Sequence, residues 1–587
     1  LRYNRPYQHI ISLFQETKIM LRRKLLGVLA LYAFLLPMLS FGQTTAVGSS
    51  TTATPAKAVY AAPKEVIDKI RDEGMNHSQV MQTLSYLTDV IGQRLTGSPS
   101  LRHANEWTRD TLAKWGLQNA HLEAWGPFGR GWVLKSFSAQ VSQPYDIPLI
   151  AYPKAWAPGA NLVNADVVYL DAKGEAGLEK YKGQLKGKIV LVSDPRELKA
   201  DFTGIGRRET DESLAKLADA PDPATIQRPA IPAQPSPEML ARRQAAAFAA
   251  RRLMFAFNEG AAMLVDNSRG GAGGTIFVQQ ASVAQQQPEQ PDPNFRRLSP
   301  WQKEAESMIL PQVTLSSENY NRLVRMIQQG EKLKMTVNVD AQYLDGDGMV
   351  NNTIAEIPGT DPKLKDQIVM LGGHMDSWHS GTGATDNGAG VAVAMEAVRI
   401  LQAAGLKPRR TIRIALWTGE EEGLLGSRAY VKQHFGEMKG AQANFFGPPD
   451  PNAPKPELLK GPEYEKLSAY FNLDNGTGKI RGVYMQGNGN VRPYFDSWLT
   501  PFNDLGAKTL TMSNTGGTDH LSFDAIGLPG FQFIQDEIEY STLTHHSNQD
   551  VFDRIQADDM KESATIMAAF VYQTAMIDEM MPKKGQK

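Results

Sequence analysis

Three textures of apolar and polar positions follow one another along the chain. In "KEVIDKIRDEGMNHSQVMQTLSYLTDVIG", residues 64–92, apolar side chains recur at helical spacing and predict amphipathic helix. "RLTGSPSLRHANEWTRDTLAKWGL", residues 94–117, reads as a Gly/Pro turn followed by a second such helix, with Ser98 or Ser100 as its cap. From about residue 144 the runs become short and β-rich, as in "DVVYLD", "GKIVLVSD" and "AAMLVDN". Two Pro/Gln-rich stretches, "DAPDPATIQRPAIPAQPSPEM" and "QQASVAQQQPEQPDPNF", interrupt them and read as exposed loops. Between those loops "LARRQAAAFAARRLMFAFNEGA" is helical, its Arg pairs marking a solvated face. Near residue 342 strand-like runs begin to alternate with helical ones: "QIVMLGG", "GVAVAMEAVRILQAAG", "RTIRIALWTG", "LLGSRAYVKQHF", "LSAYFNLD", "GFQFIQD". That alternation predicts an open α/β sheet with helices on both faces, whose sites form beyond the carboxyl ends of the strands.

The bulk numbers narrow the partners. At 587 residues the chain exceeds one ordinary core, so two folded units plus tails are expected. A formal net charge of −1 leaves no general field to attract nucleic acid or anionic lipid. Cysteine is absent, which excludes disulfides, thiolate zinc ligands and a cysteine nucleophile, so any metal must be held by His, Asp and Glu. At the N-terminus Met20, Arg22, Arg23 and Lys24 precede "LLGVLALYAFLLPMLS" and then a small polar segment, the layout of a secretory signal. Residues 1–19 are read as a spurious extension, 20–42 as the signal peptide and 43–63 as a linker. The expected location is secreted or periplasmic, with no stable membrane anchor, because the apolar stretch is too short to span.

Chemistry-bearing residues gather where the strands end. "LGGHMDSWHSGTGATDNGAG", residues 371–390, places His374 and Asp376 directly after one strand and Asp386 before the next helix, with glycines to turn the backbone. Glu420 and Glu421 follow "RTIRIALWTG", Asp474 ends "LSAYFNLD", and His546 lies in "YSTLTHHSNQD" beyond "GFQFIQD". A single strand-end acid is more often a helix cap, and a lone His is more often packed than ligating. Four strand ends that all terminate in His, Asp or Glu instead suit two zinc ions bridged by one carboxylate.

The ordered motifs "HMDSW", "GATDNGAG", "LWTGEEEGLLGS", "FNLDNG", "GGTDHLSFDAIGLPG" and "HHSNQD" resemble the co-catalytic zinc exopeptidases that include bacterial leucyl aminopeptidases and glutamate carboxypeptidases. The resemblance implies a mixed, mostly parallel α/β sheet flanked by helices, the phosphorylase/hydrolase-like fold. It implies two Zn²⁺ held by His374, Asp386, Glu421, Asp474 and His546, with Asp386 as the bridge. Glu420 would be the general base, Asp376 would orient His374, and Glu422 would be solvated. His545 is either a donor to the tetrahedral intermediate or a packing residue, and could exchange roles with His546; Tyr540 is a second such donor. His379 is read as a pocket residue or an exposed loop histidine. "GKIVLVSD" with "AFNEGAAMLVDNSRGG" resembles a β-rich protease-associated domain, inserted at 144–341 between catalytic parts 64–143 and 342–580. With "LTDVIGQRLTGSPSLRHANEW" and "WGPFGRGW", it most resembles the plasma glutamate carboxypeptidase (carboxypeptidase Q) branch. The implied activity is terminal peptide-bond hydrolysis on peptides or dipeptides, with no nucleic acid partner and a homodimer as a compatible assembly. A non-peptidase amide hydrolase, a glutaminyl cyclase and a catalytically silent binding protein are the alternatives on this fold.

Overall fold

The computed structural model describes residues 59–226, 236–286, 295–440 and 456–585. The signal-peptide and N-terminal extension readings, and the linker up to residue 58, lie outside the described residues. The strand Ile368–His374 is buried along its whole length, as a central strand covered on both faces must be, and its apolar run supplies the side chains for that. It pairs in parallel with Thr411–Trp417 on one side and Leu467–Asn472 on the other. The full sheet runs Gln118–Trp125, Val350–Ile357, Thr411–Trp417, Ile368–His374, Leu467–Asn472, Gly530–Gln535, Ile480–Tyr484, Thr509–Thr511. It is mixed and mostly parallel, with four of its seven neighbour pairs parallel.

Two almost wholly buried helices, Ala389–Ala403 and Ala557–Met576, pack against each other and cover one face. Between them and the N-terminal helix Lys64–Asn76 lies a buried charge cluster: Arg399 meets Glu396 at 2.7 Å and Glu73 at 2.6 Å, and Ser78 and the Gln79 N–H donate to Glu396. Removing one partner of such a pair leaves a buried charge without compensation. Glu396→Gln is therefore expected to lower the unfolding free energy by about 3 kcal/mol, read by urea denaturation, and Arg399→Met in the same chain should recover part of it.

A second eight-stranded sheet runs Ile147–Pro148, Gly131–Gln143, Lys334–Leu344, Ala160–Tyr169, Ile189–Leu191, Met263–Asn267, Gln312–Leu315, Ala151–Pro153. It encloses its own core of Ile189, Leu191, Met263, Val265, Val313 and Leu315 with neighbours. This sheet takes in Gly131–Gln143, so it starts ahead of the 144 boundary expected from sequence: the long pairing of that strand with Lys334–Leu344 holds it there. Two local expectations resolve. Ser98, not Ser100, caps the helix Pro99–Lys114 by accepting from the Leu101 N–H. Arg252, one of the Arg pair residues expected on a solvated face, is instead 9% exposed and meets Asp194 at 3.2 Å.

Candidate metal centre

Parallel strands end side by side, so residues that terminate adjacent strands become neighbours. His374 pairs in register with Trp417, and Gly372 with Asn472, which brings His374, the turn carrying Glu420 and Glu421, and Asp474 to one edge of the sheet. Asp386 arrives from the opposite direction, in the turn before the helix Ala389–Ala403. That turn is pressed onto the third strand end: Asn387 donates to the Leu473 carbonyl at 2.8 Å and accepts from the Gly390 N–H at 3.0 Å. A Cβ at Gly390 would collide with the Leu473 carbonyl, so the approach requires glycine there.

The two oxygens of Asp386 face different histidines. Oδ1 lies 3.3 Å from His374 Nε2, and Oδ2 lies 3.1 Å from His546 Nε2. His374 Nε2 is also 3.5 Å from Asp474 and 3.9 Å from Glu420, while His546 Nε2 is 2.9 Å from Glu421. Two triads result, His374–Asp386–Asp474 and Asp386–Glu421–His546, with Asp386 common to both. His545 reaches Asp386 Oδ2 at 3.6 Å, and Asp386, His545 and His546 also form a compact donor group. Of the two histidines His546 is the nearer to Asp386, and its Nε2 is the one set against Glu421.

These residues fit two dications. His374 is 1% and Asp386 3% exposed, and His374 Nε2, Asp386 Oδ2 and Glu421 Oε1 are buried without a hydrogen-bond partner. Four carboxylates, Asp386, Glu420, Glu421 and Asp474, converge on two imidazoles. Such a density of buried negative charge is costly unless matched, and two doubly charged cations match it. The protonation preferences agree. Burial opposes a charged His374, yet Glu420 and Asp474 outweigh it and hold its pKa well above the usual range. Burial likewise opposes charge on His546, but Glu421 and Asp386 raise it to about 10. Burial and the Asp386 charge push Glu421 up to about 7, against the pull of His546.

Surrounding groups fix the orientation. The Asp376 carbonyl oxygen is 3.1 Å from His374 Nδ1 and its carboxylate 3.6 Å, leaving Nε2 to the cluster. Asp376 Oδ2 also accepts from the Glu421 N–H at 3.1 Å and from Thr96 at 3.3 Å, so one acid ties two strand ends together. Trp378 donates its indole N–H to Glu421 at 2.8 Å. Tyr540 is buried and stacks on His545 at 4.7 Å between centroids. His546 sits at φ +62°, a left-handed conformation that costs a side-chain-bearing residue of order 1 kcal/mol. The surrounding loop is held by the connection between the second-sheet strands Met263–Asn267 and Gln312–Leu315, where the Val278 N–H donates to the His546 carbonyl at 3.3 Å and Phe277 bridges Ser547.

Three positions depart from the sequence reading or were not visible in it. Glu422 is not solvated: both carboxyl oxygens are buried, and burial and then Asp376 push its pKa well above the usual range. The turn that presents Glu420 and Glu421 folds back toward Thr96, which carries the third acid inward. His379 is buried, not exposed; it donates its Nε2–H to the Pro153 carbonyl (2.7 Å), edge-on to Trp132 and Tyr152, and burial lowers its pKa to about 4. Arg94 was not singled out, yet it is fully buried and donates to the carbonyls of Met375 and Gly383 at 2.7 Å and of Thr382 at 2.8 Å, stapling both ends of the loop between His374 and Asp386. The buried acid Asp519 and its neighbour His520 lie behind Glu420, and burial raises Asp519 to about 7.

Residues 352–571 match the family model described as Peptidase family M28. The chain is similar to carboxypeptidase Q of Mus musculus, 24% identical over 530 residues that cover 90% of this chain and 92% of that protein. It is also similar to aminopeptidase YwaD of Bacillus subtilis, 27% identical over 283 residues, 47% of this chain and 54% of the other. The fold is shared with the crystal structure of a Peptidase M28 precursor from Shewanella amazonensis, at a TM-score of 0.58 and 20% identity over 89% of this chain and 99% of that one. The family match takes in His374, Asp386, Glu420, Glu421, Asp474 and His546 together, so residues 352–571 form a region of peptidase family M28, the co-catalytic zinc exopeptidases.

Proposed function

We propose that this protein is exported and hydrolyses the terminal peptide bond of peptides or dipeptides, with Glu420 as general base. The observation that carries the reading is Asp386, whose two oxygens are divided between His374 and His546 as a bridging ligand requires. Zinc ions held by His374, Asp386 and Asp474 and by Asp386, Glu421 and His546 would supply Lewis-acid polarisation of the scissile carbonyl and a more acidic water. Glu420 takes the proton of the attacking water and passes it to the departing amine. Asp376 and Trp378 keep His374 and Glu421 in ligating orientation. Tyr540 and His545, stacked at the rim, are placed to donate a hydrogen bond to the oxygen that becomes anionic. The second sheet, whose segments 205–209 and 276–278 bond to the catalytic loops, limits substrate size in the manner of a protease-associated domain.

The test is hydrolysis of dipeptides, N-blocked peptides and aminoacyl anilides by the purified protein before and after chelation. Chelator is expected to lower the rate at least about 100-fold, with recovery on adding two equivalents of zinc. Hydrolysis that survives complete metal removal, or activity confined to non-peptide amides, would overturn the proposal. Export is checked separately by the N-terminal residue of the protein recovered outside the cytoplasm, expected near Gln43.

A further inference from the structure

Arg269 stands where the second sheet meets the metal centre. It follows the strand Met263–Asn267, and the loop it opens returns through Ile276, Phe277 and Val278 along the loop that carries His546. Asn548 clamps this junction, accepting from the Ile276 N–H at 2.8 Å and donating its own N–H to the Ile276 carbonyl at 3.0 Å. The Arg269 guanidinium lies over the Phe277 ring, 5.5 Å from its centroid, and Phe277 is bridged to Ser547, the residue after His546. Arg269 lies within electrostatic reach of the centre: the Glu421 carboxylate favours its charge, against the partial burial that lowers its pKa.

Three other cations near the site have partners. Arg94 spends its donors on backbone carbonyls. Arg428, on the helix Leu425–His434, has Asp519 and Glu420 as charged neighbours, and Lys154 is paired with Asp266. Arg269 is exposed, and among the described residues it makes no ion pair and no side-chain hydrogen bond. A C-terminal exopeptidase must recognise a carboxylate one residue beyond the scissile bond, a reach of roughly 3.5 Å, so its recognition group belongs at the rim of the metal cluster. A planar guanidinium braced on an aromatic ring and open to solvent presents the paired donors that a carboxylate accepts.

We infer that Arg269 binds the free α-carboxylate of the substrate's C-terminal residue, which makes the enzyme a carboxypeptidase or dipeptidase and not an aminopeptidase. The inference rests on the exopeptidase reading above and supplies its polarity. It is tested with the zinc-reconstituted full chain on dipeptides and the same dipeptides amidated at the C-terminus. The wild type is expected to favour the free acid by about 30-fold or more in kcat/KM, the factor that a charge-assisted pair contributes. Arg269→Met should collapse the acid-to-amide ratio to within about threefold, through KM and with kcat for the acid little altered. Arg269→Lys should lie between, keeping the charge and losing the fork. Calorimetric titration of metal-loaded Glu420→Gln with an uncleaved dipeptide, with and without Arg269→Met, should show the same factor in Kd. An unchanged ratio in Arg269→Met, or a wild type that cleaves amides and anilides as fast as acids, overturns Arg269 while the metallopeptidase stands. If zinc-loaded protein cleaves neither member of any pair, the exopeptidase reading falls and Arg269 with it.

Discussion

Glu420→Gln is expected to retain two metal ions per chain and to lower kcat by about 10³-fold or more, since a positioned general base contributes roughly 10²–10⁴-fold. Glutamine matches the shape and cannot accept the proton. The backbone that presents this side chain is fixed independently of its carboxylate: the Gly423 and Leu424 N–H groups donate to the Glu420 carbonyl at 2.8 and 2.9 Å. The side chain is 10% exposed and approaches His374 Nε2 no closer than 3.9 Å, outside the two tighter triads. Burial pushes its pKa well above the usual carboxylate range; His374 opposes this, and Asp474, Asp519 and Glu421 add to it. Left to the protein's own charges, the carboxyl favours its proton. On the proposed reading, positive charge held in the two triads would work in the opposite sense and free Glu420 to act as base, linking metal loading to base strength. Single-turnover kinetics together with elemental analysis check the prediction. A near-normal rate removes Glu420 from the role of base, and loss of metal in this variant would make it a ligand instead. Glu421→Gln should behave differently, losing metal from the triad shared with His546.

Much of this centre is legible in the sequence because of how parallel sheets are built. His374, Glu420, Glu421 and Asp474 each follow an apolar run, and Asp386 sits in a glycine-rich turn ahead of a helix, so local pattern alone puts them at strand ends. Their convergence then follows from strand adjacency. What the sequence hides is whatever depends on a distant partner. Arg94 staples the metal loop through a carbonyl 281 positions away, and nothing around it distinguishes it from a surface arginine. Glu422 shares its run with two acids of the cluster, and only the path of the turn decides that it faces inward. Arg252 reads as one of a solvated pair until Asp194, from beyond the strand Ile189–Leu191, is set beside it. Gly131–Gln143 reads as the end of one unit and joins the other because Lys334–Leu344 supplies its partner. Arg269 is silent for the same reason, since its closeness to His546 is made by a bridge between segments 270 residues apart in sequence.

Asp386→Ala should cost the most, because one side chain serves both triads. The variant is expected to fall from two bound zinc ions to fewer than one per chain by elemental analysis, and to lose at least about 10⁴-fold in kcat/KM, as removal of both Lewis-acid and base functions implies. Asp474→Asn and Glu421→Gln touch one triad each, and should retain one ion on the opposite side. A second readout does not depend on turnover. Zinc that binds only the folded chain stabilises it by RT ln(1 + [L]/Kd), about 4 kcal/mol when free metal is 1,000 times Kd. Wild-type protein should therefore gain several degrees in Tm on titration with zinc, Asp474→Asn and Glu421→Gln part of that, and Asp386→Ala almost none. The alternative is that Asp386 is only an ion-pair partner for two buried histidines, each otherwise served by its own acid. In that case Asp386→Ala would lower the melting temperature of the metal-free chain and still bind two zinc ions with an undiminished thermal gain. The two accounts differ in the size of the zinc-dependent gain in the variant, almost none on the first and undiminished on the second. The geometry favours the shared ligand, since Asp386 turns one oxygen to each histidine and neither Asp474 nor Glu421 reaches across to the other.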